Sequence, residues 1–482
     1  MKRLSIFSIK RSTPFWLFSL SLVFGLTLPW LIQDGMFQDA VLYSAVSNNL
    51  ANGIGSFWFL QYSALNLEGI PSFHEQLPLV FGIQALFFKL LGNSLYVERF
   101  YTFLMIILNI LLILKIWKII FKDNNNYSRL GWLPVFFWII IPLTFWSYRY
   151  NMLENTVSVF VLSSVLLSLK AVQSKRGIFF WIMSGLFIFF ASFSKGAPGL
   201  FPVIFPILYW LTTKRISFKK SIFYSFILVC IPTIIYLILI AFPESRDSLS
   251  IYFFERLLGR TTSMPTTDYH AEIIVRLLME LIPVLIIVVL ILLSGFRSIK
   301  AVVSENTGYF LLFLGLGISG TFPLALTLVQ KGFYMVPAFP FFAIAFGVLI
   351  TPILSRHINN INIKSKVFKG LTYFSLFILL GVFIITFTLR NDIEREKEVI
   401  TDVYKIGREI PQLSIVTVPD EMYYQYDFIL QGYLVRYFNI SISPYEEYDY
   451  YLKEKNLDVM VPEHYKKVKL PLTKYELYKK SD

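Results

Sequence analysis

Long apolar stretches alternate with short polar ones along most of the chain. A helix that crosses a bilayer needs about 20 apolar residues, because each residue adds about 1.5 Å along the axis. Runs that reach or approach this length cover residues 14–32, 97–121, 131–147, 153–169, 178–193, 197–211, 221–242, 272–294, 307–329, 333–353 and 370–389. The pattern predicts an all-α polytopic membrane protein with about 11–13 transmembrane helices.

The positions of lysine and arginine predict the orientation of these helices. Basic clusters lie at residues 2–11, 115–129, 170–176, 214–220, 297–300 and 356–369. Lysine and arginine are enriched in cytoplasmic loops. All of these clusters fall on the cytoplasmic side if the short apolar run 78–91 does not cross the membrane. We therefore predict a cytoplasmic amino terminus, a helix at 78–91 in the outer interface, about eleven crossings and an outer carboxyl terminus.

The polar segments on the outer side divide the chain into two predicted domains. Residues 1–389 form the transmembrane region, with a first outer loop at 33–77 that carries juxtamembrane helices and another outer loop at 243–271. Residues 390–482 have the mixed composition of a soluble domain. Apolar periodicity there predicts helices over 392–409 and 421–437 and a strand over 414–418, hence a small α/β domain.

Composition supports a membrane protein and excludes several other classes. Hydrophobic residues make up 56% of the 482 positions and charged residues only 16%, whereas about a quarter is charged in soluble domains. The net charge of +13 does not indicate nucleic-acid binding, because the basic residues lie in short clusters between apolar runs. One cysteine excludes a disulfide framework, and four scattered histidines leave little room for a histidine metal site.

Two lysines break the rule that places basic residues inside. Lys195 and Lys331 each lie in a tight outer turn at the membrane surface, which suggests an anionic partner. A membrane-embedded sugar donor carries a phosphate leaving group at this depth, and fixed cations would stabilise the charge that develops there. A nearby carboxylate would take the proton of the acceptor hydroxyl, and direct attack would invert the anomeric centre. Interfacial lysines also commonly reach lipid phosphates without any catalytic purpose.

Six short segments, in this order along the chain, carry a resemblance to a known family. They are Asp34-Gly-Met-Phe-Gln-Asp39 with Tyr43, Gly53-Ile-Gly-Ser-Phe-Trp58, His74-Glu-Gln-Leu-Pro-Leu79, Arg149-Tyr-Asn-Met-Leu-Glu-Asn155, Ser194-Lys-Gly-Ala-Pro-Gly199 and Lys331-Gly-Phe-Tyr-Met-Val-Pro337. The chain resembles the GT-C membrane glycosyltransferases, in the bacterial branch related to protein O-mannosyltransferases and to the aminoarabinose transferase acting on lipid A. The order of the six segments across the membrane region makes their combination more specific than any single segment.

The resemblance implies a polyprenyl-phosphate sugar donor and a lipid, glycan or protein acceptor on the periplasmic side of a bacterial inner membrane. Asp39 matches the catalytic aspartate, and Glu154 matches a second acidic position that lines the cavity. The expected donor-phosphate contacts are Lys195, Lys331, Arg149 and Arg256. The expected cavity residues are Asp34, Tyr43, His74, Glu75 and Tyr334.

One departure from the family pattern concerns the residues after Glu75. Relatives usually place a basic residue before the proline, whereas this chain has Gln76-Leu77-Pro78. That phosphate contact is then neutral, or supplied by another residue such as His74, Arg149 or Arg256. No cofactor is expected to be required, although Asp34 and Asp39 together could hold a divalent cation.

The amino-acid sequence is also compatible with two other functions. A flippase or transporter for lipid-linked sugars would carry ionisable residues near the middle of its helices, and the predicted helices have few. A structural assembly subunit would use the tyrosine-rich carboxyl-terminal domain to recruit partners. The gathering of polar groups on the outer face favours the enzyme.

Overall fold

The computed structural model describes residues 10–67, 69–258, 266–295, 299–424 and 428–481. The helices up to residue 388 are α1 (Thr13–Leu31), α2 (Gln38–Ala51), α3 (Leu79–Leu91), α4 (Val97–Ile120), α5 (Asn125–Ser128), α6 (Trp132–Ile139), α7 (Pro142–Ser147), α8 (Leu153–Ala171), α9 (Gly177–Lys195), α10 (Phe205–Thr213), α11 (Phe218–Ile240), α12 (Pro243–Ser250), α13 (Glu272–Ser294), α14 (Ile299–Thr321), α15 (Phe339–Asn359) and α16 (Lys366–Thr388). Within the described part, nine helical stretches are long and apolar enough to cross a membrane: α1, α4, α8, α9, α11, α13, α14, α15 and α16, with 3₁₀ turns extending α14 and α15. The predicted helical, polytopic architecture is confirmed.

Two of the predicted runs do not form single long helices. Residues 131–147 divide into α6 and α7 at Pro142, which has no backbone N–H to continue the first helix. Residues 197–213 begin with 3₁₀ turns at Ala197–Gly199 and Phe201–Ile204, where prolines recur, and only then form α10. These breaks explain why the described residues hold nine long helices where the apolar pattern predicts about eleven crossings.

Burial separates the central helices from those at the periphery. In α8, 83% of the most apolar window is buried, and for the stretch Gly332–Asn359 that contains α15 the share is 89%. The corresponding shares for α11, α13 and α16 are 11%, 22% and 17%, although these helices are just as apolar. Apolar helices that expose most of their surface are expected to face lipid, so α8 and α15 form the centre of the bundle.

Short helices lie between some of the long ones. The helix α2 follows α1 after a short connection and is almost entirely buried. The helix α3 has 13 residues and is therefore too short to cross a bilayer of about 30 Å, which agrees with the prediction for 78–91. After α11, α12 continues into a π-helical segment at Ile251–Leu258.

The carboxyl-terminal region forms the predicted small α/β domain. Its elements are α17 (Lys397–Glu409), β1 (Ile415–Thr417), α18 (Asp420–Tyr424), α19 (Phe428–Phe438), β2 (Ser441–Ser443), β3 (Tyr450–Glu454), β4 (Tyr465–Lys467) and β5 (Tyr475–Lys480). The strand order is β2-β1-β3-β5-β4, with β1 parallel to both neighbours and the other pairs antiparallel. The helix predicted over 392–409 begins only at 397. The one predicted over 421–437 is divided between α18 and α19, and residues 425–427 lie outside the described part.

This domain packs directly on residues 33–77, the predicted first outer loop, which is called the first outer segment below. The helices α19 and α2 are in extensive contact, and Gly432 lies within this contact, next to Val41. A Cβ atom at Gly432 would stand only 3.1 Å from Val41 Cγ1. The small domain therefore shares a tightly packed interface with the helix that carries Asp39.

Candidate active site

A large apolar cavity lies between the irregular segment before α10 and the end of α14. Its volume is about 1060 Å³. Residues 197–208 and 315–329 supply most of its walls, including Leu200, Phe201, Ile318 and Leu326. A cavity of this size with apolar walls suits a hydrocarbon chain better than a free sugar, since sugar hydroxyls would lose hydrogen bonds to water there.

Polar side chains gather at one end of the cavity. Gln76, Lys195, Tyr252 and Tyr334 all line it, and they come from four separate segments of the chain. The Lys195 ammonium lies 4.9 Å from the centre of the Tyr334 ring, a distance at which a cation is attracted to an aromatic face. The cavity thus combines a long apolar part with one end that carries a positive charge.

Lys195 forms a buried ion pair with Glu154. The helices α8 and α9 are joined by a short connection and run antiparallel, so the first turn of α8 meets the last residue of α9. Lys195 Nζ contacts Glu154 Oε1, with only 5% of the lysine side chain and 1% of the glutamate side chain exposed. Burying a single charge costs several kcal/mol, and the opposite charge offsets that cost. Of the two, Lys195 lines the cavity, whereas Glu154 lies behind it.

Asp39 lies in the first turn of α2, close to this ion pair. A carboxylate is favourable there because the helix amino terminus carries a partial positive charge. Burial raises the pKa of Tyr43, one turn further along α2, well above 10, and the charges of Asp39 and Glu154 raise it further. The Tyr43 hydroxyl therefore stays protonated among these two carboxylates. The structure brings Asp39, Tyr43, Glu154, Lys195 and Tyr334 together, and their predicted roles stay predictions.

The two predicted arginines have other partners. Arg149 Nε donates a hydrogen bond to the Leu26 carbonyl over 3.0 Å, and its guanidinium stacks on the Trp30 ring at 3.5 Å. It therefore faces the end of α1 rather than the cavity. Arg256 Nη2 donates to Glu75 Oε1 over 3.0 Å, and both side chains are about one third exposed. Glu75 and Arg256 form a pair beside Gln76, without lining the described cavity themselves.

His74 and Lys331 also lie away from the cavity walls. His74 is buried between the hydroxyls of Ser72 and Ser248, at 3.0 Å and 3.1 Å, and joins the first outer segment to α12. Burial lowers the pKa of His74 below its usual value of 6.5, so the ring is neutral at pH 7. Lys331 is exposed just before the 3₁₀ segment Gly332–Ala338.

The carboxylate of Asp34 is hydrogen-bonded to α4 and to the carboxyl-terminal domain. Its Oδ1 accepts from Arg99 Nη2 over 3.1 Å and from Tyr437 OH over 2.5 Å, and its Oδ2 accepts from Tyr404 OH over 2.6 Å. Both oxygens therefore face α4 and the carboxyl-terminal domain. Within the described ranges, no three His, Cys, Asp or Glu side chains lie together in a way that could hold a metal ion. A divalent cation held by Asp34 and Asp39 stays a prediction.

The sequence did not indicate the cavity walls or Tyr252. The repeated prolines and glycines at 196–206 were the available signal, because they interrupt an otherwise apolar run. Gln76 was visible only as a departure from the family pattern, and the structure places it among the residues that line the same cavity as Lys195.

Comparisons with known proteins agree with this geometry. Residues 75–239 match the sequence model of the dolichyl-phosphate-mannose-protein mannosyltransferase family. This segment includes the Glu75, Glu154 and Lys195 motifs. The match confirms the predicted resemblance to the protein O-mannosyltransferases and the prediction that the chain is a glycosyltransferase. Among curated protein sequences, none matches the chain significantly.

Solved structures show the same fold over nearly the whole chain. ArnT from Cupriavidus metallidurans bound to undecaprenyl phosphate is 12% identical, covers 96% of this chain and 97% of its own, and superposes with a TM-score of 0.62. The apo form of the same protein is 10% identical, covers 95% of each chain and has a TM-score of 0.59. At this identity the likeness establishes the fold, and the predicted GT-C fold with its small carboxyl-terminal domain is confirmed.

Proposed function

We propose that the chain transfers a sugar from a polyprenyl-phosphate donor to a hydroxyl of a lipid, glycan or protein acceptor, on the periplasmic side of a bacterial inner membrane. The observation that carries this proposal is the apolar cavity of about 1060 Å³ with Lys195 at its polar end. A prenyl chain would fill the apolar part, and its phosphate would lie against the ammonium. The ArnT structure of the same fold was solved with undecaprenyl phosphate, which is a ligand of this chemistry.

Glu154 and Tyr334 fix the position of the lysine. The buried Glu154 carboxylate contacts Lys195 Nζ, and the centre of the Tyr334 ring lies 4.9 Å from the same atom. A cation held in place before the reaction stabilises developing negative charge better than a mobile one, because the surroundings need no rearrangement. Glu154 thus acts through Lys195 in this proposal.

Asp39 is proposed to be the base that activates the acceptor. The acceptor oxygen attacks the anomeric carbon, the bond from that carbon to the phosphate oxygen breaks, and the lipid phosphate leaves with the bonding electrons. The hydroxyl proton passes to the Asp39 carboxylate. A single displacement of this kind inverts the configuration at the anomeric carbon. The proposed mechanism uses the protein's own charges and requires no metal ion.

Comparing the envelope of a deletion strain with that of the wild type tests the proposal. Lipids, glycans and proteins would be analysed by mass spectrometry after complementation with wild type, Asp39→Asn and the control Asp247→Asn, an exposed aspartate on α12. We expect a sugar to be missing in the deletion strain and restored by wild type and the control only. Restoration by Asp39→Asn would remove this carboxylate from the mechanism. If no sugar is lost and lipid-linked sugar accumulates in the cytoplasmic leaflet, the chain is a transporter.

A further inference from the structure

A buried row of alternating charges connects the carboxyl-terminal domain to the first outer segment. Its members are Arg436, Glu98, Arg99 and Asp34, which are 0%, 1%, 4% and 5% exposed. Arg436 Nη2 donates to Glu98 Oε2 over 2.6 Å, Arg99 Nη1 donates to Glu98 Oε1 over 3.3 Å, and Arg99 Nη2 reaches Asp34 Oδ1 over 3.1 Å. Two positive and two negative charges balance, which makes such deep burial tolerable.

Three tyrosine hydroxyls from the carboxyl-terminal domain complete the contact. Tyr437 and Tyr404 donate to the two oxygens of Asp34 over 2.5 Å and 2.6 Å. The hydroxyl of Tyr433 accepts a hydrogen bond from the Met36 backbone N–H over 2.7 Å. Burial raises the pKa of Tyr404 and of Tyr437 above 10, so both remain donors at neutral pH.

The backbone of the same segment is held as well. Asp34 N donates to the Asp392 carbonyl and Glu394 N donates to the Asp34 carbonyl, each over 2.8 Å. Gly35 has a φ of +97°, and a Cβ atom there would lie 2.9 Å from the Arg395 backbone nitrogen. Residues 34–36 are therefore fixed by side-chain, backbone and steric contacts with residues beyond the last membrane helix, and by the ion pair of Asp34 with Arg99 on α4.

The fixed segment leads straight into the helix that carries the proposed base. The helix α2 begins at Gln38, and Asp39 lies in its first turn. A few residues later, α2 packs against α19 at Val41 and Gly432. Any shift of residues 34–36 would move the start of α2, and a displacement of about 1 Å in a catalytic group can cost about a hundredfold in rate.

We propose that the carboxyl-terminal domain positions Asp39, with Tyr404, Tyr433 and Tyr437 as positioning residues that hold residues 34–36. This inference rests on the proposed function, because it assigns Asp39 its role. The domain is then a structural part of the active site, and the hydroxyl groups affect the chemical step without touching substrate.

The double variant Tyr404→Phe/Tyr437→Phe tests this directly. It removes both hydroxyls from Asp34 and keeps the two stacked rings, whose centres are 5.4 Å apart. The matched control is Tyr465→Phe, which removes a hydroxyl that donates to the Tyr448 carbonyl within the same domain. With purified protein and a polyprenyl-phosphate sugar, we expect kcat to fall about 10- to 100-fold and the donor KM to change less than about twofold. In the control, kcat should stay within about twofold of wild type.

Hydrogen exchange gives a second measurement that does not depend on activity. Amides of residues 33–45 should exchange faster in the double variant than in wild type, and not in the control. Normal exchange, or a kcat equal to that of the control, would overturn the proposal. If the double variant does not fold, Tyr433→Phe replaces it, since it loses only the contact with Met36. If wild type transfers no sugar, the proposed function fails, whereas unchanged exchange alone would show that the hydroxyls do not hold the segment.

Discussion

Substituting one member of the buried Lys195–Glu154 pair should destabilise the protein, whereas substituting both should restore stability without restoring transfer. Lys195→Met leaves the carboxylate without its partner, and Glu154→Leu leaves the ammonium without its partner. The side chains are 5% and 1% exposed, so water screens a lone charge very little. Removing one partner of such a pair typically costs about 3–5 kcal/mol, and replacing both by apolar residues is often close to neutral.

The expected change in unfolding temperature follows from the size of the chain. An unfolding entropy of about 2 cal/mol/K per residue, applied to 482 residues, converts the cost into a fall in Tm of about 3–5 °C for each single variant. The double variant should lie close to wild type. Transfer should be lost in Lys195→Met and in the double variant, because neither can stabilise the leaving phosphate.

Thermal unfolding in detergent and donor turnover on the same samples would measure both effects. Lys89→Met is a suitable control, because it makes the same substitution at an exposed lysine in the last turn of α3. A double variant whose loss of Tm equals the sum of the single losses would show that the two charges do not compensate each other. Normal turnover in a folded Lys195→Met protein would exclude the lysine from phosphate stabilisation.

Three further predictions follow from the cavity and the outer segments. Gln76→Lys adds a second cation to the polar end of the cavity, so the donor KM should fall in turnover assays; an unchanged KM would place the phosphate elsewhere. Because burial lowers the pKa of His74, unfolded chains bind its proton more readily, so stability should be complete above about pH 6.5 and decline as the pH falls through the lower folded value. Unfolding of wild type should therefore depend more steeply on pH between 7 and 5 than that of His74→Gln, and equal slopes would contradict this. Chelation of divalent cations by EDTA should leave turnover unchanged, whereas a loss reversed by Mg²⁺ would show a metal requirement.

The sequence predicted the membrane helices and the group around Lys195 for a clear physical reason. Apolar length determines which segments can cross a bilayer, and a conspicuous lysine or carboxylate at the outer end of such a segment must lie at the same face. Membrane depth was therefore predictable, but the direction of each side chain was not. The Arg149 side chain turns to the Trp30 ring, and Lys331 is exposed.

Contacts between distant parts of the chain were beyond sequence reasoning for a different reason. The partners of Asp34 include Tyr404 and Tyr437, some 370 and 403 positions away, and no local pattern connects them. The sequence predicts Asp34 as a possible metal ligand because it lies close to Asp39 along the chain, and its sequence neighbours indicate no other role. Only the folded structure shows that this aspartate joins α4 to the carboxyl-terminal domain.

One of the two predicted runs that do not form long helices illustrates a physical constraint on membrane proteins. Backbone groups facing lipid must be hydrogen-bonded within a regular helix, so irregular backbone at membrane depth occurs where it is buried or lines a cavity. Residues 197–204 have that irregular form, and they are also a wall of the apolar cavity beside Lys195. Pro198, one of the prolines that interrupt this segment, itself lines the proposed donor site.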